Sequence, residues 1–391
     1  MKRLFILVLL SLGSGGLLPA QTLSEAAKVS VITFGPGKEE LYAGFGHSAI
    51  RVYDPVNRID WAYNYGTFDY DQPNFYLNFT RGHLLYKLAV QDFPRMRQYY
   101  EYFDRYILEQ DINLSEEQKQ LVFDFLQNNA KPENADYYYD YFYDNCATKI
   151  GDVFVESLGE DFHFDEAYVD EPGLTIRTLT DRLIAEEYPW GKLGIDICLG
   201  APMDKSLSNM EYMFLPDYVY LAFKSAEIRR EGVWQEAVSG ENALFNPEVM
   251  FTKRTTLTPS LVFGSWLVLI ALLTYLSLQK GFSLKYLDFA FFLILGLLGL
   301  LLTLLWFGTD HRAAAYNFNI LWALPTNLIA AFAFLYKTPP GWLKPYLIFV
   351  SIMGAILIIG WPFLPHQLNV AFIPVILSIL IRCFGNIKAM K

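Results

Sequence analysis

Five long apolar stretches fill the last third of the chain, and they constrain its fold more than any other feature. Each is close to the ~20 residues with which an α-helix crosses a bilayer. The stretches cover residues 259–278, 286–307, 318–336, 345–364 and 368–384. Residues 259–391 contain eight Lys or Arg, two Asp and no Glu. The sequence therefore predicts a five-helix transmembrane bundle over residues 259–391.

The basic residues between these stretches predict the orientation of the bundle. Seven of the eight fall on one side: Lys280, Lys285, Lys337, Lys344, Arg382, Lys388 and Lys391. Arg312 alone falls on the other side. Because basic residues concentrate in cytoplasmic loops, the crowded side is predicted to be cytoplasmic. The residues before 259 then lie outside the cytoplasm.

The first twenty residues are typical of a secretory signal peptide that is cleaved after Ala20. Lys2 and Arg3 precede an apolar run over residues 4–18. The alternative is an uncleaved anchor, but the run is short for a membrane span and is interrupted by Gly and Ser at residues 13–16. Export by a signal peptide requires the same topology that the loop charges predict.

Residues 21–258 form the predicted extracytoplasmic domain. This segment has 21 Lys or Arg against 39 Asp or Glu, a net charge of −18. Such a charge repels phosphate backbones and excludes nucleic acid as a partner. The density of Tyr and Phe excludes a disordered segment. The predicted organisation is a signal peptide over residues 1–20, a periplasmic domain over 21–258 and a membrane domain over 259–391.

Alternating side chains predict a β-hairpin near the start of the domain. Its first strand begins at His47, and the predicted register pairs Tyr53 with Ile59. This register places His47 opposite Tyr65, with Asn64 beside it. A strand over residues 29–34, helices over 93–111 and 115–130 and a strand-like run over 137–143 are also predicted. The second helix has a capping box, Ser115 to Gln118.

Cys146 has the sequence context of a reactive cysteine. Asp144 or Asn145 is predicted to cap a helix whose first turn contains Cys146. The positive end of a helix lowers the pKa of a thiol there, and free backbone N–H groups can hold an oxyanion. We therefore interpret Cys146 as a nucleophile and His47 as its base.

Two alternatives bear on this interpretation. A disulfide between Cys146 and Cys198 is the default for exported cysteines, although Cys198 lies in an apolar run typical of a buried residue. His83, which follows Arg81 and Gly82, and His163, which lies in a charged loop, are weaker candidates for a catalytic role.

The predicted outer loop between the second and third apolar stretches concentrates polar residues at the membrane surface. Four of them form a hypothetical headgroup-binding set: Asp310, His311, Asn317 and Asn319. Amides at this depth are costly unless they are used. The alternative is a solvated loop with Trp322 as an interface anchor and a kink at Pro325.

A histidine on an early strand, followed far downstream by Asn-Cys at a helix start, resembles the circularly permuted papain-like fold of the NlpC-type and lecithin:retinol acyltransferase superfamily. This implies an α+β domain. The chain also resembles the Lnb family of lipoprotein N-acyltransferases over nearly all of its mature length. The segments that carry this resemblance are residues 46–52, 64–68, 144–148, 213–216, 310–311 and 317–325. It implies Cys146 as nucleophile and His47 as base, while Asn64 is only a candidate for a third catalytic residue.

The resemblance also implies a reaction. An acyl chain would move from a membrane phospholipid, through a Cys146 thioester, to the α-amine of a diacylated lipoprotein, with no metal or cofactor. The expected location is the inner membrane, with several spans and a periplasmic catalytic domain. One alternative is a membrane-tethered cell-wall peptidase or amidase, for which five helices are excessive. Another is a transporter or scaffold, but the apolar stretches offer almost no charge for an ion pathway.

Overall fold

A computed structural model describes residues 21–247 and 256–390, so the predicted signal peptide lies outside the described residues. The domain before the membrane helices contains ten strands and seven helices among these residues. The strands are β1 Lys28–Phe34, β2 His47–Asp54, β3 Ile59–Thr67, β4 Leu85–Asp92, β5 Ile107–Ile112, β6 Asp136–Tyr138, β7 Phe162–His163, β8 Glu227–Arg230, β9 Val233–Glu236 and β10 Val238–Phe245. The helices are α1 Phe75–Arg81, α2 Phe93–Tyr102, α3 Glu116–Asn129, α4 Cys146–Leu158, α5 Ile176–Ile184, α6 Pro189–Cys198 and α7 Pro216–Ser225.

Seven of the strands form one antiparallel sheet in the order β10-β5-β1-β2-β3-β4-β6. Alternate side chains of β1 to β3 point to opposite faces. On one face, Val31 and Ile50 share a core with α3, α4 and α7. On the other face, Phe34 and Ala49 share a second core with α2. The domain is thus α+β, with helices on both faces of the sheet.

Several local predictions are confirmed. β1 and the two strands of the hairpin form where alternation predicts them. Gln118 N donates to Ser115 Oγ at 3.2 Å, and Ser115 N donates to Gln118 Oε1 at 3.0 Å, which completes the capping box of α3. The predicted helix at Cys146 begins at that residue with Asn145 as its cap.

The helix predicted over residues 93–111 is wrong in its second half. α2 ends at Tyr102, and Asp104 has a φ of +53°, which a helix cannot continue. The chain then returns as β5, which pairs with β1 on one side and β10 on the other. The strand predicted over 137–143 is also shorter, because β6 ends at Tyr138.

The predicted hairpin register is wrong by one residue. Asp54, not Tyr53, pairs with Ile59. Asp54 closes the turn because its carboxylate accepts from the backbone N–H groups of Val56 and Asn57 at 3.0 and 3.1 Å. A one-residue shift moves every side chain to the other face of a sheet. The observed register therefore puts Asn64 on the same face as His47, where the predicted register would have separated them.

Four helices among the described residues are long and apolar enough to cross a membrane. They begin with α8 Pro259–Lys280 and α9 Lys285–Phe307. After a short helix, α10 Asn327–Ala333, come α11 Leu343–Gly360 and α12 Ile373–Ala389. The five continuous spans that the sequence predicts are therefore not confirmed, since the third stretch forms a 3-10 turn over Phe318–Leu321 and then the seven-residue α10.

The third stretch is broken for identifiable reasons. Pro325 lacks the N–H that a continuous helix requires. The stretch packs closely on α9, where a Cβ at Gly299 would lie 1.9 Å from Ala323 O. It returns antiparallel to α9, since Phe334 meets Phe292 with ring centroids 5.1 Å apart. Non-helical backbone at membrane depth is tolerated when protein covers it, as this packing does.

Arg382 is not the loop residue that the orientation argument assumed. It lies within α12, where it is buried and donates to both carboxylate oxygens of Asp288 at 2.7 Å. A third bond, also 2.7 Å, joins its guanidinium to Thr274 Oγ1 of α8. One side chain thus connects α8, α9 and α12. The lysines on the same side still support the predicted orientation.

This buried pair gives a stability prediction. Asp288→Leu leaves the Arg382 charge buried without a partner, which typically costs about 3–5 kcal/mol. The double variant Asp288→Leu, Arg382→Met removes both charges and should recover most of the loss. Thermal unfolding of the purified protein in detergent, followed by size-exclusion chromatography, measures both effects. Equal melting temperatures for the single and double variants would contradict the pairing.

Candidate active site

Cys146 is the first residue of α4, and the side chain of Asn145 fixes this helix start. Asn145 Oδ1 accepts from Ala147 N at 2.8 Å and from Thr148 N at 3.0 Å. Thr148 Oγ1 in turn accepts from Asn145 N at 2.8 Å, which makes a reciprocal cap. The helix therefore cannot shift in register, and the thiol is held at its positive end.

The other half of the Asn145 amide reaches a distant segment. Its Nδ2 donates to Tyr141 O and to Phe214 O, each at 2.8 Å. Phe214 belongs to the Met-Phe-Leu-Pro motif at residues 213–216. Pro216 of the same motif lies beside Gly46, the residue before His47. This motif therefore contacts both the start of α4, where Cys146 lies, and the strand that carries His47.

His47 is the first residue of β2 and is held from one side. Gly46 has a φ of +80°, and a Cβ there would lie 2.9 Å from Phe34 O, so the sharp entry into β2 requires glycine. His47 Nε2 lies 2.7 Å from Asn64 Oδ1. The Asn64 amide is oriented by a 3.0 Å bond from its Nδ2 to Gln91 Oε1. Asn64 Oδ1 therefore accepts from Nε2, which leaves His47 Nδ1 for the hydrogen bond with Cys146.

The thiol of Cys146 lies among groups that favour its ionised form. Burial raises the pKa of Cys146, but the charge of His47 and hydrogen bonds from His47, Ser48 N–H and the Tyr139 hydroxyl outweigh it, so that the pKa lies below its ordinary value. Burial also raises the pKa of Tyr139 well above its ordinary value. Tyr139 therefore stays protonated at neutral pH and remains a donor.

The expectation that several free helix-start amides face the thiol needs correction. The Ala147 and Thr148 amides already donate to the Asn145 cap, and the Lys149 amide donates to Asn145 O. Among the helix-start amides, that of Cys146 does not donate to Asn145. Tyr139 O–H and Ser48 N–H are further donors beside the sulfur. Oxyanion binding at this site would depend on these groups rather than on a row of helix-start amides.

Tyr139 and Gln91 are the residues that sequence reasoning missed. Tyr139 lies in the aromatic run just before Asn145, but its neighbours Tyr138 and Tyr141 have the same local pattern. Gln91 lies in β4 and meets Asn64 only because β3 and β4 pair. Neither has a local signal that distinguishes it from nearby residues.

The remaining cysteines and histidines have other surroundings. Cys146 and Cys198 are both free thiols in the structure, which does not show the alternative disulfide. Burial raises the pKa of Cys198. His163 lies in an exposed pair with Glu227 at 3.1 Å. His83 pairs with Asp310 of the outer loop, with Nε2 2.5 Å from Oδ2.

The four predicted headgroup-binding residues fall into two groups. Asp310 and His311 lie against α1: Asp310 N donates to Arg81 O at 2.9 Å, and His311 Nε2 donates to Phe79 O at 3.0 Å. Their side chains are near the domain surface and accessible. A role for them in substrate binding stays a prediction.

Asn317 and Asn319 are buried in the joint between the domain and the membrane helices. Asn317 Nδ2 donates to Ile197 O at 2.8 Å, and Asn319 Nδ2 donates to Asp196 O at 2.9 Å. These hydrogen bonds satisfy the side-chain amides, which explains why they are tolerated at this depth. Binding of substrate by these two residues stays a prediction, and their geometry favours a positioning role.

Charged residues complete this joint. Arg177, buried in α5, donates to Asp196 at 2.6 Å and to Asp204 at 2.7 Å. Two residues of the membrane part bond to these carboxylates. Asn369 Nδ2 donates to Asp196 Oδ2 at 2.7 Å, and Gln367 N donates to Asp204 Oδ2 at 3.2 Å. The domain is therefore fixed to the outer ends of the membrane helices through bonded, buried charges.

The fold and site define a multi-pass membrane protein whose α+β domain, outside the membrane, carries a partnered cysteine and histidine. Two family models match the chain: the Lnb N-terminal periplasmic domain over residues 21–182 and the Lnb transmembrane domain over residues 251–391. The chain belongs to the Lnb family, as the sequence motifs predict, and this membership suggests an enzyme. No curated protein and no solved structure matches the chain significantly.

The lowered pKa of Cys146 and the raised pKa of Cys198 predict different reactivity for these two cysteines. At pH 7, iodoacetamide should modify Cys146 before Cys198, because a lowered pKa gives more thiolate and a raised pKa gives less. His47→Ala should slow the reaction of Cys146, since the largest stabilising charge is lost. Mass spectrometry of peptides from timed samples measures both rates. Equal rates for Cys146 in the two proteins would contradict its ionisation by His47.

Proposed function

We propose that the protein is a lipoprotein N-acyltransferase that uses Cys146 as nucleophile and His47 as base. The observation that carries the proposal is the ordered set Cys146, His47 and Asn64 in a domain bonded to the outer ends of membrane helices. The proposal includes a circularly permuted papain-like domain, because the histidine strand precedes the cysteine helix. It also includes five membrane passes, the third of them broken, and a location in the inner membrane.

The first half-reaction would transfer an acyl chain to the enzyme. His47 Nδ1 takes the Cys146 proton, and the thiolate attacks an ester carbonyl of a phospholipid. The amides of Cys146 and Ser48 and the hydroxyl of Tyr139 would stabilise the oxyanion. The carbon–oxygen bond then breaks, and protonated His47 gives its proton to the departing lysophospholipid alcohol. An acyl thioester on Cys146 remains.

The second half-reaction would consume this thioester. The α-amine of a diacylglyceryl-cysteine, at the N-terminus of a lipoprotein, attacks the thioester carbonyl. His47 takes a proton from the amine, and the Cys146–acyl bond breaks as the amide forms. The sulfur recovers its proton from His47, which returns the enzyme to its starting state. Asn64 keeps the imidazole oriented in both halves, and Gln91 keeps Asn64 oriented.

Attachment to the membrane supports acyl transfer over its main alternative. Both proposed substrates are anchored in the outer leaflet, so a fixed domain confines their encounter and raises their effective concentration. A tethered cell-wall peptidase with the same residues would need only an anchor. Here Asp196 and Asp204 of the domain bond to Asn369 and Gln367 of the membrane part, which is more than anchoring requires.

Replacement of the nucleophile tests the proposal. Cys146→Ser should lower N-acylation by at least about 1,000-fold, because an alcohol is far less ionised than a thiol at neutral pH. Cys198→Ala is the matched control and should retain activity. The measurement is mass spectrometry of the N-terminal peptide of a reporter lipoprotein, from cells with only the variant gene. Full acylation with Cys146→Ser would contradict the thioester mechanism.

The outer loop distinguishes the acyltransferase from the tethered peptidase. Asp310→Asn and His311→Ala should each reduce acyl transfer, because displacing a reacting group by about 1 Å can cost on the order of 100-fold. A peptidase acting away from the bilayer would be indifferent to both. The same reporter peptide provides the measurement, and a product that is undiminished in both variants would remove the loop from substrate placement.

A further inference from the structure

Helix α1 presents large apolar side chains that the described chain does not cover. Tyr76 is 75% exposed and Leu77 is 56% exposed, and Phe79 on the same helix is also exposed. The helix follows β3 through an aromatic loop that exposes Tyr70 as well. We call residues 68–85, which include α1 and both of its connections, the aromatic segment.

The aromatic segment is attached to the end of a membrane helix. α9 has 23 residues, or about 35 Å at 1.5 Å per residue, which is enough to cross the ~30 Å of bilayer hydrocarbon. Its last residue, Phe307, therefore lies at the outer boundary of the membrane. Three residues later, Asp310 N donates to Arg81 O and the Asp310 carboxylate binds His83. The end of α1 is thus held at the depth of the lipid headgroups.

The exposed face of α1 therefore continues the lipid-facing surface of the bundle. Tyr and other large amphipathic or apolar side chains concentrate at the boundary between headgroups and hydrocarbon. Arg81 and His83 lie where such a helix would leave the membrane. This continuity selects lipid, rather than a second protein, as the partner that covers Tyr76, Leu77 and Phe79.

A continuous series of rings joins this segment to the candidate active site. Tyr139, which hydrogen-bonds Cys146, stacks on Tyr86 with ring centroids 4.5 Å apart. Tyr86 stacks on Phe68 at 4.9 Å, and Phe68 stacks on Phe75 of α1 at 6.0 Å. Any displacement of α1 would therefore be transmitted to the ring beside the nucleophile.

From these observations we propose that the aromatic segment is inserted in the outer leaflet, where it contacts lipid acyl chains at the entrance to Cys146. The identity of the lipid as substrate rests on the proposed acyltransferase function; the insertion itself does not. The segment sets the depth at which an ester carbonyl meets the sulfur. Acyl chains lie along α1, and the ester group stands near Tyr139.

Insertion is measured first, without any use of activity. A single spin label is placed at residue 77 or residue 56 of the full chain carrying Cys146→Ser, Cys198→Ala and Cys383→Ala. The protein is reconstituted in vesicles of phosphatidylethanolamine and phosphatidylglycerol. Val56 is the control, because it is 68% exposed and lies in the turn that follows β2, at the other end of that strand from His47. The label at 77 should be relaxed more by oxygen than by a water-soluble nickel complex, and the label at 56 should show the reverse.

The effect of the aromatic segment on acyl transfer is measured in a chain that keeps its three native cysteines. Leu77→Asp should lower acyl transfer from vesicle phospholipid by about tenfold or more, because a carboxylate is costly in lipid and displaces α1. Acyl transfer by Val56→Asp should stay within about twofold of that by the unmodified protein, because residue 56 lies beyond the end of β2 that is far from His47. Alkylation of Cys146 by excess iodoacetamide should go to completion in both variants, which shows that the thiol is present and unblocked, and both should elute as the unmodified protein does in size-exclusion chromatography, which shows that each is folded.

The results separate this inference from the proposed function. Equal access of the nickel complex to both labels would overturn the insertion, and so would protection of residue 77 by an added lipoprotein but not by the vesicles. Equal rates of acyl transfer by Leu77→Asp and Val56→Asp would contradict the placement of the aromatic segment at the entrance to Cys146. Insertion of residue 77, together with an unmodified protein that forms neither an acyl-Cys146 nor an acylated reporter, would support the membrane surface and refute the acyltransferase.

Discussion

The side-chain amide of Asn145 is the constraint on which the site depends. It accepts from two amides of α4 and donates to two carbonyls, Tyr141 O and Phe214 O. Asn145 is buried, so a lost partner would leave a polar group unsatisfied at a cost of about 1–3 kcal/mol. These four bonds determine where the sulfur of the next residue lies. They also connect α4 to the motif that borders Gly46, so Cys146 and His47 are positioned by one set of contacts.

Relative to the bilayer, the site is positioned by a different kind of interaction. Arg177, Asp196 and Asp204 are charged groups in a buried joint, where each has a bonded partner. A buried charge is strongly destabilised when its partner is removed, so such a joint has few alternative arrangements. Burial, together with the charge of Arg177, lowers the pKa of nearby His366 to about 3. The imidazole therefore stays neutral at physiological pH and adds no repulsion to the joint.

Local patterns predicted the parts of the structure that neighbouring residues decide. The Ser115 capping box, the Asn145 cap and the strand at His47 follow from spacings of two to four residues. The register of the hairpin did not, because Asp54 is also bound by Ser24, thirty residues earlier. The break in the third apolar stretch depends on contact with α9, which hydropathy does not record.

The same distinction applies to the candidate site. Cys146 and His47 have recognisable local contexts, and the placement of Asn64 beside His47 was expected although the predicted register was wrong. Gln91 and Tyr139 become neighbours of the site only through sheet pairing and the packing of β6. The sequence alone predicts that Asn317 and Asn319 are polar residues at membrane depth. Only the fold reveals that their amides bond to the backbone of α6.

The ion pair between Asp288 and Arg382 has a consequence for synthesis. Its partners are 94 residues apart in the chain, so α9 leaves the ribosome long before the arginine that neutralises its carboxylate. Until α12 arrives, Asp288 has no buried countercharge and must be hydrated or held near the cytoplasmic face. The last helix thus completes the bundle, and a chain truncated before α12 keeps an unneutralised acid within a membrane helix.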